Sequence, residues 1–361
     1  MRKPYLDNIR WGTVLLVLVY HVLYVFNASG VLGGIGGFYD VQYQDAPLYF
    51  VYPWFMVLLF VVAGISSRYA LEKQPHKEFI SARTRKLLVP STLGLLVFQW
   101  ITGYFNMAAS GAFAYMGAVP GPILYLIMAV SGIGPLWFIQ MLWLFSLLLV
   151  LLRKIDKNDK FYDMCGKAFG DKWGILPLLL LALFIWGAAQ IGNVPVITTY
   201  RFGIYGIAYL LGYFVLSHEH VQETLEKFAL PLGIAAVILG VAYVICYFGQ
   251  NYTDAPILQN FFTNSYLWVA VLGILGCGKK CLNGTSKFSQ YMTKASFGIY
   301  VTHYLPLIAA AYLLKTYTTL PALVIYLITA VCTFGGSVLL YEVIRRIPVL
   351  RWCVLGIKKK K

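Results

Sequence analysis

Long apolar segments alternate with short polar segments along the whole chain. Ten of the apolar segments are long enough, at about 1.5 Å of rise per helical residue, to cross roughly 30 Å of bilayer hydrocarbon. These segments are residues 10–29, 48–69, 87–106, 134–153, 173–191, 200–217, 229–249, 257–277, 296–314 and 320–341. Their apolar runs are continuous, whereas the strands of a membrane barrel alternate apolar and polar residues. The pattern predicts an all-α integral membrane protein with about ten transmembrane helices.

The basic residues fall in every second connecting segment. Only Arg201 and Lys315 lie on the opposite side. Because Lys and Arg concentrate on the cytoplasmic side of membrane proteins, both termini are predicted to be cytoplasmic, in a multi-pass protein of the cell (inner or plasma) membrane. These loop charges account for the net charge of +15, so no nucleic-acid partner is expected. A content of 60% hydrophobic and 12% charged residues also excludes an ordinary soluble domain.

A single polytopic domain over residues 1–361 is expected, because no linker or low-complexity stretch interrupts the pattern. The first apolar segment contains a histidine and is followed by a poor cleavage site, which favours a retained helix over a signal peptide. Cys277 and Cys281 share a helix-face spacing, but no histidine or second cysteine pair accompanies them. No metal site is therefore predicted.

Two histidines lie inside predicted membrane helices, where titratable side chains are costly and are functional candidates by default. His21 follows Arg10 by eleven residues, which at about 100° per residue places both on one helix face. A histidine can take a proton from a hydroxyl near neutral pH. His303 is the second candidate. On the residues alone, Arg10 could equally set topology and His21 could form an interhelical hydrogen bond.

Five short motifs follow one another in the order of a known family. They are residues 5–10 with His21, residues 83–90, residues 134–138, residues 295–303 and residues 341–348. Together they resemble the membrane acyltransferase 3 family, and the last resembles its glucan biosynthesis protein C branch in particular. The sequence differs at Lys86, which stands where the second arginine of an Arg-x-x-Arg motif is expected.

The resemblance implies transfer of an acetyl or succinyl group from cytoplasmic acyl-coenzyme A to a hydroxyl of an extracytoplasmic glycan or glycolipid. It implies no bound cofactor, with acyl-coenzyme A as a substrate. The expected partners are the lipid bilayer, the donor, the glycan acceptor and a further protein for any second transfer step. In this interpretation His21 is the general base and His303 assists proton transfer, although a structural hydrogen bond would also explain His303.

The remaining site residues follow from the same interpretation. Clustered cations bind phosphates well, so Arg10, Arg83, Arg85 and Lys86 are expected to hold the phosphates of the donor. Asp7 is expected either to orient Arg10 or to be a solvated acid. The possible acceptor-side residues are Trp137, Tyr39, Tyr43 and Arg201.

Two other functions compete with acyl transfer. A transporter or flippase of a glycan precursor or small anionic substrate would show flux without consuming a donor, but the paired broken helices of repeat-built transporters are not evident. A membrane scaffold or sensor would leave two intramembrane histidines without a purpose.

Overall fold

A computed structural model of the protein describes residues 3–170, 174–193 and 199–358. Throughout these residues the regular structure is helical, and no strand occurs in them. The α-helices are α1 (Pro4–Tyr24), α2 (Ala46–Val51), α3 (Phe55–Leu71), α4 (His76–Arg83), α5 (Val89–Gly94), α6 (Trp100–Ala109), α7 (Gly121–Ser131), α8 (Trp137–Ile155), α9 (Lys160–Ala168), α10 (Leu176–Ala189), α11 (Phe202–Phe214), α12 (Glu219–Lys227), α13 (Ala229–Tyr247), α14 (Ala255–Leu258), α15 (Phe261–Cys281), α16 (Lys287–Thr302), α17 (Tyr304–Tyr317), α18 (Ala322–Ile344) and α19 (Pro348–Leu355).

The predicted class, a helical membrane protein, is confirmed by the lengths and apolarity of these helices. In the described part of the chain seven stretches can cross a membrane: Pro4–Tyr24, Tyr43–Leu71, His76–Ala109, Gly134–Ile155, Ala229–Tyr247, Phe261–Cys281 and Ala322–Ile344. The pair α16 and α17 passes the same test with a bend of 46° between its helices. Helices α10 and α11 are apolar but have 14 and 13 residues. A count of ten spans stays a prediction.

The helix boundaries differ from the predicted ones, because hydropathy alone does not mark the residues at which a helix begins and ends. The first helix begins at Pro4 and ends at Tyr24, whereas residues 10–29 were predicted. A proline is well tolerated in the first turn of a helix, which explains the early start. His21 consequently lies in the last turn of α1. Residue 173, the predicted start of another segment, lies outside the described residues.

The chain divides into two compact units that interleave along the sequence. The first unit contains Met1–Thr13, Ala46–Ile80 and Leu144–Thr293. The second unit contains Val14–Asp45, Ser81–Trp143 and Lys294–Lys361. The single domain over residues 1–361 stays a prediction.

In the first unit, glycines allow α3 and α11 to approach at backbone distance. A Cβ atom on Gly64 would lie 2.0 Å from the Tyr209 carbonyl oxygen, and one on Gly212 would lie 2.3 Å from the Val61 carbonyl oxygen. Lipid tails are as apolar as leucine side chains, so helices in a bilayer associate through such close packing rather than through hydrophobic burial. The two glycines therefore specify this helix pair.

Ion pairs join polar segments of the first unit. Asp159 binds Arg68 at 3.1 Å and Arg153 at 2.6 Å. Glu219 binds both Lys3 and Lys279. Hydrogen bonding by the Lys3 ammonium lowers the pKa of the Glu219 carboxyl below its ordinary value. The residues just before α1 are in this way attached to the start of α12.

In the second unit, the helical stretch from α4 to α6 contains two π-helical turns, Thr84–Leu88 and Leu95–Gln99. Such turns insert a residue into an α-helix and are frequent at functional sites. Downstream, α6 meets α7 closely, since a Cβ atom on Gly103 of α6 would lie 1.7 Å from the Met128 carbonyl oxygen of α7.

Candidate functional site

The two membrane histidines predicted from the sequence are in direct contact in the second unit. The Nε2 atom of His303 lies 3.2 Å from the Nδ1 atom of His21, and the ring centroids are 5.1 Å apart. His303 is fully buried, with 0% of its surface exposed, and His21 is partly buried. The residues are 282 positions apart in the chain, so only the tertiary fold brings them together.

The hydrogen bonds of the pair assign the ring protons. Nδ1 of His303 lies 2.7 Å from the carbonyl oxygen of Tyr300, which can only accept, so this nitrogen carries a proton. Nδ1 of His21 lies 2.9 Å from the Val17 carbonyl oxygen and carries a proton for the same reason. The bare Nε2 of His303 then accepts from the same Nδ1–H of His21, which is shared with the Val17 carbonyl oxygen.

One ring nitrogen of the pair remains available for chemistry. In neutral His21 the proton is on Nδ1, so Nε2 holds a lone pair. Among the described residues Nε2 has no hydrogen-bond partner. The arrangement presents a base at Nε2 of His21, backed by a buried acceptor on His303. A histidine with a free lone pair and an orienting neighbour has the arrangement that general-base chemistry on a hydroxyl requires.

His303 occupies the bend between α16 and α17. Pro306 has no N–H to donate to the carbonyl four residues earlier, and its ring clashes with that carbonyl, which accounts for the bend of 46°. The backbone remains bonded on both sides, from His303 N–H to Ile299 at 3.0 Å and from Leu307 N–H to His303 at 3.3 Å. The side chain of Gln99 also donates to the Val301 carbonyl at 3.0 Å. These bonds hold the histidine in place.

Aromatic side chains surround the pair. Tyr304 meets His21 edge-on at 5.5 Å, and Tyr20 and Tyr24 lie at 5.5 and 5.9 Å from it. The hydroxyl of Tyr300 donates to the carbonyl of Pro135. Two of the motifs noted in the sequence, residues 134–138 and residues 295–303, are therefore bonded to each other in the second unit.

Arg10 belongs to the first unit, where Asp7 orients it. Its guanidinium donates to Asp7 at 2.9 Å and to the Ser66 hydroxyl at 2.7 Å. Ser66 in turn donates to the Val62 carbonyl at 2.7 Å. No sequence motif indicated Ser66, because serine within an apolar helix commonly bonds only its own backbone.

The basic residues 83–86 lie where α4 passes into its π-helical turn. The indole of Trp143 donates to Thr84 at 3.0 Å, which fixes the turn to α8. The Lys86 ammonium lies 5.3 Å from the centre of the Phe297 ring. Arg83 and Arg85 are partly exposed and Lys86 is exposed. The turn thus presents three cations within four consecutive residues.

The possible acceptor-side residues occupy different environments. Tyr39 and Tyr43 of the second unit are 62% and 81% exposed, whereas Trp137 is buried in the same unit. In the first unit Arg201 is buried, with 1% exposed, and its Nε donates to Asn193 at 2.7 Å. The charge pattern placed Arg201 in an outer loop, but the rings of Tyr52 and Tyr205 flank its guanidinium at 5.7 and 5.3 Å.

Comparison with known proteins identifies relatives over nearly the whole chain. The family model of the acyltransferase domain matches residues 3–342. The chain is 24% identical to a glucans biosynthesis protein C of Escherichia coli O157:H7, over 98% of this chain and 94% of that protein. Proteins of the same name from Shigella boydii serotype 4 and Escherichia coli K12 are 23% identical over the same shares. No solved structure matches the chain.

Proposed function

The chain belongs to the acyltransferase family, and we propose that it moves an acetyl or succinyl group from cytoplasmic acyl-coenzyme A to a hydroxyl of an extracytoplasmic glycan or glycolipid. The contact between His21 and His303 carries this proposal, because it leaves Nε2 of His21 as a base. The name shared by the relatives supports a glucan as the acceptor. The alternation of basic segments supports ten membrane helices with both termini in the cytoplasm.

The chemical step follows from the ring protons assigned above. Nε2 of His21 removes the proton of the acceptor hydroxyl while its oxygen attacks the thioester carbonyl of the donor. The new C–O bond forms, the C–S bond breaks, and the leaving thiolate takes the proton from the imidazolium. His303 accepts a hydrogen bond from Nδ1 of His21 and stabilises that imidazolium, as the orienting member of a catalytic triad does.

Donor binding is assigned to the cations on the cytoplasmic side. Arg83, Arg85 and Lys86 neutralise the phosphates of coenzyme A, since guanidinium groups form paired hydrogen bonds to phosphate oxygens and an ammonium adds a point charge. In the first unit, Asp7 holds Arg10, and a role of Arg10 in donor binding stays a prediction. The lipid bilayer is a further partner in this proposal, and we assign any second transfer step to a partner protein.

The proposal is tested with purified protein, radiolabelled acetyl- or succinyl-coenzyme A, and glycan extracted from cells that lack the protein. His21→Ala should lower the rate of label transfer by about 10²- to 10⁴-fold, the usual contribution of a general base. His76→Ala is the matched control, because it removes a histidine of α4 that has no assigned role, and it should leave transfer unchanged. Full transfer by His21→Ala would refute the role of this base. Flux of the glycan without donor consumption would favour a transporter instead.

A further inference from the structure

The C-terminal helix α19 packs against the basic residues 83–86 within the second unit. It lies beyond residue 342, where the match to the family domain ends. Gly356 ends the helix in the left-handed conformation, with φ of 62°. A Cβ atom on Gly356 would lie 2.4 Å from the Arg85 carbonyl oxygen and 2.8 Å from the Lys86 Cα atom. The end of α19 thus touches the backbone of the predicted donor-binding residues.

Helix α19, which contacts the backbone at Arg85 and Lys86, contains a second arginine, Arg351. After Gly356 the chain folds back, and the N–H of Ile357 donates to the Arg351 carbonyl at 3.0 Å. The backbone of Arg351 is therefore bonded to the turn, Gly356 and Ile357, that contacts the backbone of Arg85. Further along, a Cβ atom on Gly94 would lie 3.1 Å from the Cys353 carbonyl oxygen, so α19 follows the same helical stretch beyond the π-helical turn.

Arg85 and Arg351 share a property with Arg153, which differs from them because it binds Asp159. In each, the Nε atom is buried and has no hydrogen-bond partner among the described residues. A buried donor without a partner costs free energy, and a charged donor costs more, so native proteins rarely keep one without a purpose. Two such donors on contacting segments indicate an acceptor that binds there.

The second unit has little negative charge to offer these arginines. Residues 81–143 contain no Asp or Glu, and Glu342 is the only acid in residues 294–361. In residues 14–45, Asp40 is exposed and Asp45 accepts a hydrogen bond from the Ala28 N–H. Glu342 already binds Arg345 and, at 3.6 Å, Arg346. An external anion is the remaining candidate, and the fork of guanidinium donors fits a phosphate group.

We propose that Arg351 joins Arg85 in binding a phosphate group, which in the proposed function is a phosphate of the coenzyme A donor. The identification of this phosphate with coenzyme A rests on the proposed function, because an anionic lipid headgroup carries the same phosphate group. Arg351 is then a donor-binding residue outside the matched family domain, and α19 is a part of the donor site.

The test measures binding of coenzyme A to the full-length protein in detergent by isothermal titration. Arg351→Gln should weaken this binding about 10- to 100-fold, the loss expected for a charge-assisted hydrogen-bonding pair. Arg346→Gln is the matched control, because it removes the same charge from a residue that binds Glu342 and is 74% exposed. Pantetheine, which lacks phosphate, should bind both variants equally.

A double-mutant cycle with Arg85→Gln tests whether the two arginines share one phosphate. The combined loss should then be smaller than the product of the single losses, whatever small effect each change has on folding. A second arm measures thermal stabilisation by phosphatidylglycerol in nanodiscs. If Arg351→Gln weakens only the stabilisation by phosphatidylglycerol, the bound phosphate belongs to a lipid headgroup. The assignment to coenzyme A is then overturned.

Equal coenzyme A binding and equal lipid stabilisation in Arg351→Gln and Arg346→Gln would overturn the site altogether. Failure of the proposed function gives a different result. The wild-type protein would then transfer no acyl group, yet coenzyme A binding would still depend on Arg351.

Discussion

His303 can be replaced so that its hydrogen bond to His21 is lost while the base itself remains. The bond is formed by a fully buried acceptor at 3.2 Å, near the long end of the usual range. When His21 becomes an imidazolium, a hydrogen bond to that charge contributes about 1.5–2.5 kcal/mol. Since about 1.4 kcal/mol of barrier is a factor of ten, His303→Ala should lower kcat about 10- to 60-fold.

The size of this loss separates positioning from base catalysis. His303→Gln keeps an oxygen that can accept from Nδ1 of His21, so it should recover part of the rate. The assay is steady-state transfer of labelled acyl groups, with elution on size exclusion as the control for folding. The assignment is refuted if His303→Ala is as inactive as His21→Ala, because His303 would then be the base. It is also refuted if the Gln variant is no better than the Ala variant.

Three further changes test other parts of the structure. Gly356→Ala puts a Cβ atom against the Arg85 carbonyl oxygen, at a position with left-handed backbone conformation. It should therefore lower the melting temperature and weaken coenzyme A binding together. If both quantities were unchanged, the packing of α19 against residues 83–86 would be contradicted. Pro306→Ala removes the cause of the bend between α16 and α17, where His303 lies, so it should reduce kcat with little change in KM for the donor. An unchanged kcat would contradict a role of this bend in positioning His303. Glu219→Gln should lower the melting temperature at pH 7 but not at pH values below the depressed pKa of this carboxyl, because the stabilisation by Lys3 exists only while Glu219 is ionised. A difference from wild type that persists in acid would contradict the pairing.

Much of the helical layout could be predicted from the sequence because apolar length and basic loops are local properties. His21 and His303 were recognised for the same reason, since a histidine in an apolar run is conspicuous. Their contact was not predictable from periodicity, because it depends on packing between residues 282 positions apart.

Other parts of the site leave no local signal at all. The π-helical turn at Thr84–Leu88 keeps a helical pattern of side chains, so hydropathy does not reveal it. The burial of Arg201 depends on Tyr52, in the turn between α2 and α3, and on Tyr205 of α11. From sequence alone, a basic residue beside an apolar segment is predicted to be an exposed loop residue. The burial of Arg201 results from tertiary packing, which the sequence pattern does not show.

The interleaving of the two units has a consequence for synthesis of the protein in the cell. His21 belongs to the second unit, but His303, which contacts it, follows 282 positions later in the chain. At about 5–20 residues per second, the ribosome needs roughly 15 s to 1 min to make this interval. During that time His21 is already present in α1, but its partner His303 has not yet been synthesised. A chain that ends before residue 303 lacks the contact between the two histidines, so the complete pair exists only after most of the protein has been made.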